Sequence, residues 1–420
     1  MSTVQGVPRL KLRNLVGVCI AVCVCVTIWA RPQTNTAVDA TDSVTAVPVA
    51  TVAQLDKVCD SGAKSGDSLK KCWTTYFEGV AAQDGVVSAL KAIQDIGKTN
   101  KSVSTSCHDF DHNLGRWAYK NTQNVVEALT NDDRACQYGF MHGVLEAFAM
   151  DATDAEMQEK LGALCEPYRV AGGTPGREYA VHECLHGIGH AAAVHTQDDV
   201  FKALEWCRLG TSTLNEIENC TGGVLMEYGN SAVKQRGGGG PLGVAHGPGD
   251  SQISDDVAMS LCNKVKSEFE RECWRRASMF WGALKVPTPA MLKMCVKDSG
   301  ADSDRCAAGV GVWVMLESYK KVRELSDVPQ YIADACAVEK RIEGWCLYGA
   351  VYPITSNAIW DNTPLSTWME LCSLATSEDA KKTCRLGELQ AVQALPDVER
   401  RMALGRARGF TEKELTAKTV

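Results

Sequence analysis

The sequence predicts an all-α fold, built from disulfide-stapled helical-hairpin repeats stacked as an α-solenoid. Three observations predict it. Cysteines recur in couples, apolar residues stand before each couple at helical spacing, and glycines follow most couples at a fixed distance.

Past residue 31 the chain holds sixteen cysteines, an even number. In chain order they form the couples Cys59–Cys72, Cys107–Cys136, Cys165–Cys184, Cys207–Cys220, Cys262–Cys273, Cys295–Cys306, Cys336–Cys346 and Cys372–Cys384. An apolar residue stands four places before the first cysteine of every couple, as at Leu55, Val103, Leu161, Met291 and Ile332. In seven couples a second apolar residue directly precedes that cysteine, which marks one face of a helix ending there. Three places after the second cysteine stands Gly139, Gly187, Gly223, Gly309, Gly349 or Gly387, followed by helix formers. A mid-helix glycine costs about 1 kcal/mol against alanine, so its recurrence points to close helix approach. Each unit therefore reads as helix, short loop, helix, with a crosslink across the hairpin. Each crosslink stabilises by about 2–3 kcal/mol in the chain-entropy picture. Two stretches depart from the register. The Cys107–Cys136 interval is long and holds an extra helical run, HDFDHNLGRWAYKN, and Gln235–Asp250 is too glycine-rich for a helix.

The N-terminus sets the compartment. Leu15–Ala30 is apolar and uncharged, with Arg9, Lys11 and Arg13 before it and Arg31-Pro32 after it. It reads as a signal anchor with the N-terminus inside, or as a cleaved signal peptide. Both readings deliver the body to an oxidising space, where disulfides persist. The expected layout is a cytoplasmic tail (1–14), a membrane segment (15–30), a flexible stalk (31–52), histidine-bearing helical repeats (53–234), a glycine-rich loop (235–250) and C-terminal helical repeats (251–420). This is a single-pass type II membrane protein of the secretory lumen or cell surface, or a secreted one. Asn100-Lys101-Ser102 is a glycosylation sequon, and Asn219-Cys220-Thr221 is formally another. The net charge is −7, and the first 31 residues carry four basic groups and no acid. An acidic body argues against nucleic acid as partner. The expected partners are the membrane, through the N-terminal segment, and a peptide or protein on the solenoid face. The tryptophans Trp274, Trp281, Trp313, Trp345, Trp360 and Trp368 populate the C-terminal half as core or groove residues.

Seven of the eight histidines fall between residues 108 and 195. His108 and His112 are spaced i, i+4, as are His142 and Glu146. His182, His186 and His190 extend the same step over two turns. Two imidazoles so spaced share a helix face and can share one ion, whereas three span too far for one. His142 and His190 each lie six places after a second cysteine, with Glu78 and Met226 at the equivalent positions of other units. A metal set of His108, His112, His142, Glu146, His182, His186 and His190 follows. Imidazoles with one carboxylate suit iron, copper or zinc, one or two ions per chain. His195 is off the face, and His246 lies in the glycine-rich loop.

The HxxxH and HxxxE pairs are similar in spacing to the ligand pairs of hemerythrin and other helical di-iron proteins, and to the histidine boxes of membrane desaturases. The resemblance is confined to those paired motifs. His182-Glu183-Cys184-Leu185-His186 formally matches the HExxH motif of zinc metalloproteases, with Glu183 as general base. The leading expectation is a metalloenzyme with O2-dependent oxidation chemistry, an iron- or copper-dependent oxidoreductase. The alternatives are a peptide-binding solenoid scaffold with a structural metal or none, and a zinc hydrolase using the HECLH stretch.

Overall fold

The computed structural model of the chain describes Cys59 and residues 66–131, 135–170, 177–197, 199–235, 255–360, 370–393 and 398–417. All of them belong to one unit, Ala50–Val420. Every regular element among the described residues is a helix. Nine helices of 13 to 22 residues form its spine: α1 (Gly66–Asp84), α2 (Cys107–Thr122), α3 (Gly139–Asp151), α4 (Arg177–His195), α5 (Leu214–Gln235), α6 (Ser267–Ala283), α7 (Ser303–Lys321), α8 (Glu343–Trp360) and α9 (Glu378–Gln393). Each packs against the next in chain order. Shorter helices bridge them: Val200–Cys207 packs on α4 and α5, and Val328–Cys336 on α7 and α8.

Local chemistry sets the boundaries. The carboxylate of Asp199 caps the helix Val200–Cys207 by accepting from the Lys202 amide. Thr153 and Glu156 form a capping box at the start of Asp154–Leu164. Gln123 ends α2 in the left-handed conformation. Asn100, the asparagine of the first sequon, is 7% exposed, and its side chain caps the helix Lys101–Thr105 by accepting from the Val103 amide.

All eight cysteine couples are bonded as the register predicts, with Cα–Cα distances of 5.4–5.8 Å. In the regular units the first cysteine ends a short helix and the second enters a spine helix. Cys207 closes Val200–Cys207, for example, and Cys220 lies in α5. Cys107–Cys136 is inverted, because Cys107 opens α2 and Cys136 lies in the 3-10 turn Ala135–Tyr138 ahead of α3.

The six register glycines form notches. A Cβ at Gly139, Gly187, Gly223, Gly309, Gly349 or Gly387 would come within 3.0 Å of the preceding spine helix. At Gly139, Gly187, Gly223 and Gly309 the atoms met belong to His108, His142, His186 and Arg275. Between α2 and α3 the approach is reciprocal: Gly115 abuts the Phe140 carbonyl and Gly143 the His112 carbonyl. Gly189 with Gly223, and Gly311 with Gly349, repeat this between α4 and α5 and between α7 and α8. Backbones this close carry neighbouring side chains into one layer.

Among the described residues no helix is long and apolar enough to cross a membrane. The segment 15–30, the stalk 31–52, and residues 236–250 with His246 lie outside the described residues, as does Trp368. Trp274 and Trp281 are buried, and Trp313 and Trp345 pack partly buried against the core.

Candidate metal centre

Helix α3 is buried along its length, from Gly139 to Ala149. It lies between α2 and α4 because its surface is apolar almost all round. The exceptions are His142 and Glu146, which are 2% and 0% exposed. From α2 come His108, His112 and Arg116, and from α4 come His182, Glu183, His186 and His190.

Five imidazoles form one cluster around His142. Its ring centroid lies 5.6 Å from His108, 5.4 Å from His112, 5.6 Å from His186 and 5.4 Å from His190. His108 Nε2 and His112 Nε2 are 3.0 Å apart, and His186 Nε2 and His190 Nε2 are 3.3 Å apart. The i, i+4 pairs therefore meet nitrogen to nitrogen.

The hydrogen-bond acceptors fix which nitrogens carry protons. His108 Nδ1 donates to the Cys136 carbonyl at 2.7 Å. His112 Nδ1 donates to Glu146 Oε2 at 3.3 Å, an oxygen that also faces Arg116 Nη2 at 3.3 Å. His142 Nε2 donates to the Glu183 carbonyl at 3.1 Å. Carbonyls and carboxylates only accept, so each of these imidazoles has spent its N–H. Burial, the largest cause, pushes all three below the ordinary histidine range, and neighbouring imidazoles push His112 and His142 further. Burial therefore favours the neutral rings. Two of the remaining ring nitrogens, His108 Nε2 and His112 Nε2, face one another at 3.0 Å. The third, His142 Nδ1, is buried and makes no hydrogen bond.

Three imidazoles, each with an acceptor behind one ring nitrogen, could hold a metal ion. Metal–nitrogen bonds of about 2.0–2.1 Å put two ligand nitrogens about 2.9–3.4 Å apart at octahedral to tetrahedral angles. Ligand atoms of His108, His112 and His142 lie within 4.8 Å of one another. A second group, Glu146, His190 and Glu227, meets the same limit with all three residues buried.

The Cys136 carbonyl is set by an unusual backbone. Cys136 and Tyr138 hold φ of 48° and 57°, the left-handed region that non-glycine residues seldom occupy. Such conformations persist where surrounding structure fixes them.

Of the residues expected from the sequence, His108, His112, His142, Glu146, His186 and His190 come together. His182 does not join the buried layer: its side chain is 40% exposed, and its ring lies parallel to His186 at 6.4 Å. Glu183 lies 3.6 Å from His142 Nε2 and 3.8 Å from His182 Nε2. His195 bridges the Ala149 carbonyl and Asp154, away from the cluster. Sequence reasoning missed Glu227, which lies 3.2 Å from His190 Nδ1, and Arg116. It also missed Glu272, Arg275 and Arg276, paired on α6, where Arg275 continues the row of residues meeting the glycine notches.

No protein-family model, no curated protein and no solved structure matches this chain.

Proposed function

We propose that the protein is a metalloenzyme of the secretory or extracellular space, in which His108, His112 and His142 hold a transition-metal ion. The observation that carries this reading is the approach of His108 Nε2 and His112 Nε2 to 3.0 Å, with His142 alongside and ligand atoms of all three within 4.8 Å of one another. Each imidazole already spends its N–H on the Cys136 carbonyl or on Glu146. A cation at this point would be ligated by both nitrogens.

Three nitrogens with positions left open suit iron or copper, and the reaction class is O2-dependent oxidation. His112 is 0% and His142 2% exposed, and His108 is only partly buried. A site this enclosed favours dioxygen and small substrates over polypeptides. That disfavours the zinc-protease reading. So does the orientation of His186, whose Nε2 faces His190 rather than its HExxH partner His182. Eight disulfides fit an oxidising compartment. Anchoring through residues 15–30 completes the reading, and chain-order packing of the spine helices supports a solenoid.

The test is metal analysis with optical and electron-paramagnetic spectra on chain purified without chelators. Stoichiometric iron or copper, lost in His112→Ala, is the expected result. Tight zinc with no redox metal would remove the oxidation chemistry, and no metal would remove the centre.

A further inference from the structure

The structure assigns a second cation site beside the first, formed by Glu146, His190 and Glu227 and richer in oxygen than the three-imidazole site. This inference rests on the reading just given, and it deepens that reading from one ion to two unlike ones.

Three observations carry it. First, the donors come from three successive spine helices, α3, α4 and α5, and converge. His190 Nδ1 lies 3.2 Å from Glu227 Oε2 and 3.8 Å from Glu146 Oε1, and the ligand atoms of all three residues lie within 4.8 Å of one another. Second, Glu146 and Glu227 are each 0% exposed and His190 is 1% exposed. Two carboxylates drawn into one dry pocket are costly to desolvate, and a divalent cation between them offsets that cost. Third, His190 has an outer partner of its own. Its Nε2 lies 3.3 Å from His186 Nε2 and its Nδ1 3.2 Å from Glu227 Oε2, so the ring is held with Nδ1 toward the two carboxylates.

Glu146 joins the two sites. Its Oε2 accepts from His112 Nδ1, behind the first ion, while its Oε1 faces His190 in the second. The ligand sets differ in kind. Three imidazoles favour copper, iron or zinc, whereas one imidazole with two carboxylates favours the harder manganese, iron or zinc. Glu227 belongs to the second site alone, so it separates the two experimentally.

The experiment is a cobalt(II) titration of the full chain, read by visible absorption and by mass-spectrometric metal count after gel filtration. Wild type, Glu227→Gln and His112→Ala are compared, with circular dichroism on each. The expected result is two equivalents in wild type. Glu227→Gln should keep one equivalent with its spectrum unchanged and bind the second at least tenfold more weakly. One equivalent in wild type that is indifferent to Glu227→Gln overturns the second site and leaves the first standing. One equivalent lost in both variants also overturns it, in favour of a single shared site. No cobalt in wild type overturns both readings. The wild-type count decides even if a variant fails to fold.

Discussion

Gly143 on α3 meets the backbone of His112 on α2 so closely that a Cβ there would lie well inside van der Waals contact distance of the His112 carbonyl oxygen. One hydrogen at position 143 thus sets the distance between the helices that carry His108, His112, His142 and Glu146. Gly143→Ala is predicted to destabilise the protein by about 1–3 kcal/mol, through overpacking against backbone that has little room to shift. It should also weaken metal retention, since α2 and α3 separate. Gly79→Ala is the control: a Cβ there meets nothing within 4 Å, so a mid-helix gain of about 0.5–1 kcal/mol is expected. Urea unfolding of both variants, with metal counts, checks the pair. Equal effects at the two positions would contradict the notch argument.

His112→Ala should abolish binding at the three-imidazole site and cost the metal-free fold only about 1–3 kcal/mol. Glu146 then loses one donor but keeps Arg116 at 3.3 Å. Glu146→Gln should weaken the ion by about 10–100-fold without removing it, because the amide oxygen still accepts from His112. Metal-competition titrations and calorimetry on the chelated proteins measure the two effects separately. A large loss of stability with unchanged metal content would show that the histidines serve packing alone.

The chelated protein should lose stability in acid at a pH set by its imidazoles. His108, His112, His142 and His186 all titrate below the ordinary value of 6.5, chiefly because burial disfavours the imidazolium. The unfolded chain takes up these protons below about pH 6.5, and the folded chain does so only at lower pH. Their contribution is therefore complete above about pH 6.5 and is lost as pH falls toward the folded values. The slope is about 1.4 kcal/mol per pH unit for each imidazole still neutral in the fold. Urea midpoints at pH 8, 6 and 5 test it, and a flat profile between pH 7 and pH 5 would refute it.

Thiol labelling of the denatured, unreduced chain should find no free cysteine among the sixteen from Cys59 to Cys384, since all eight couples are bonded. Two labelled sites in one couple would identify a hairpin that is open in solution.

The helices and crosslinks were legible because a hairpin repeat writes two periods into the chain at once. Apolar spacing marks each helix face, and Cys-to-Gly spacing marks where one helix enters the notch of the next. The histidine pairs were legible for the same reason, as i, i+4 spacing needs no knowledge of tertiary packing. Glu227 was not. The register that carries His142 and His190 points to Met226, and a single carboxylate in MEYGN has no spacing partner. The usable signal is Gly223, four places earlier, which faces α4 and so turns Glu227 toward His190. Nor does spacing reveal that His186 turns toward His190 and leaves His182 outside. Both are i, i+4 neighbours of His186, and depth alone separates them, at 1% against 40% exposure.

The disulfide Cys107–Cys136 ties the redox state of the chain to the geometry around His108. Cys107 stands next to His108 in the chain, and the Cys136 carbonyl is what orients the His108 ring. In a nascent, reduced chain nothing covalent holds that carbonyl in place, and the left-handed turn around it has no clamp. If the site holds an ion, its capture is expected to follow oxidation. On the proposed reading, the reduced chain would compete poorly for metal and the oxidised chain well, so the three-imidazole site would be loaded in the compartment where the disulfides form.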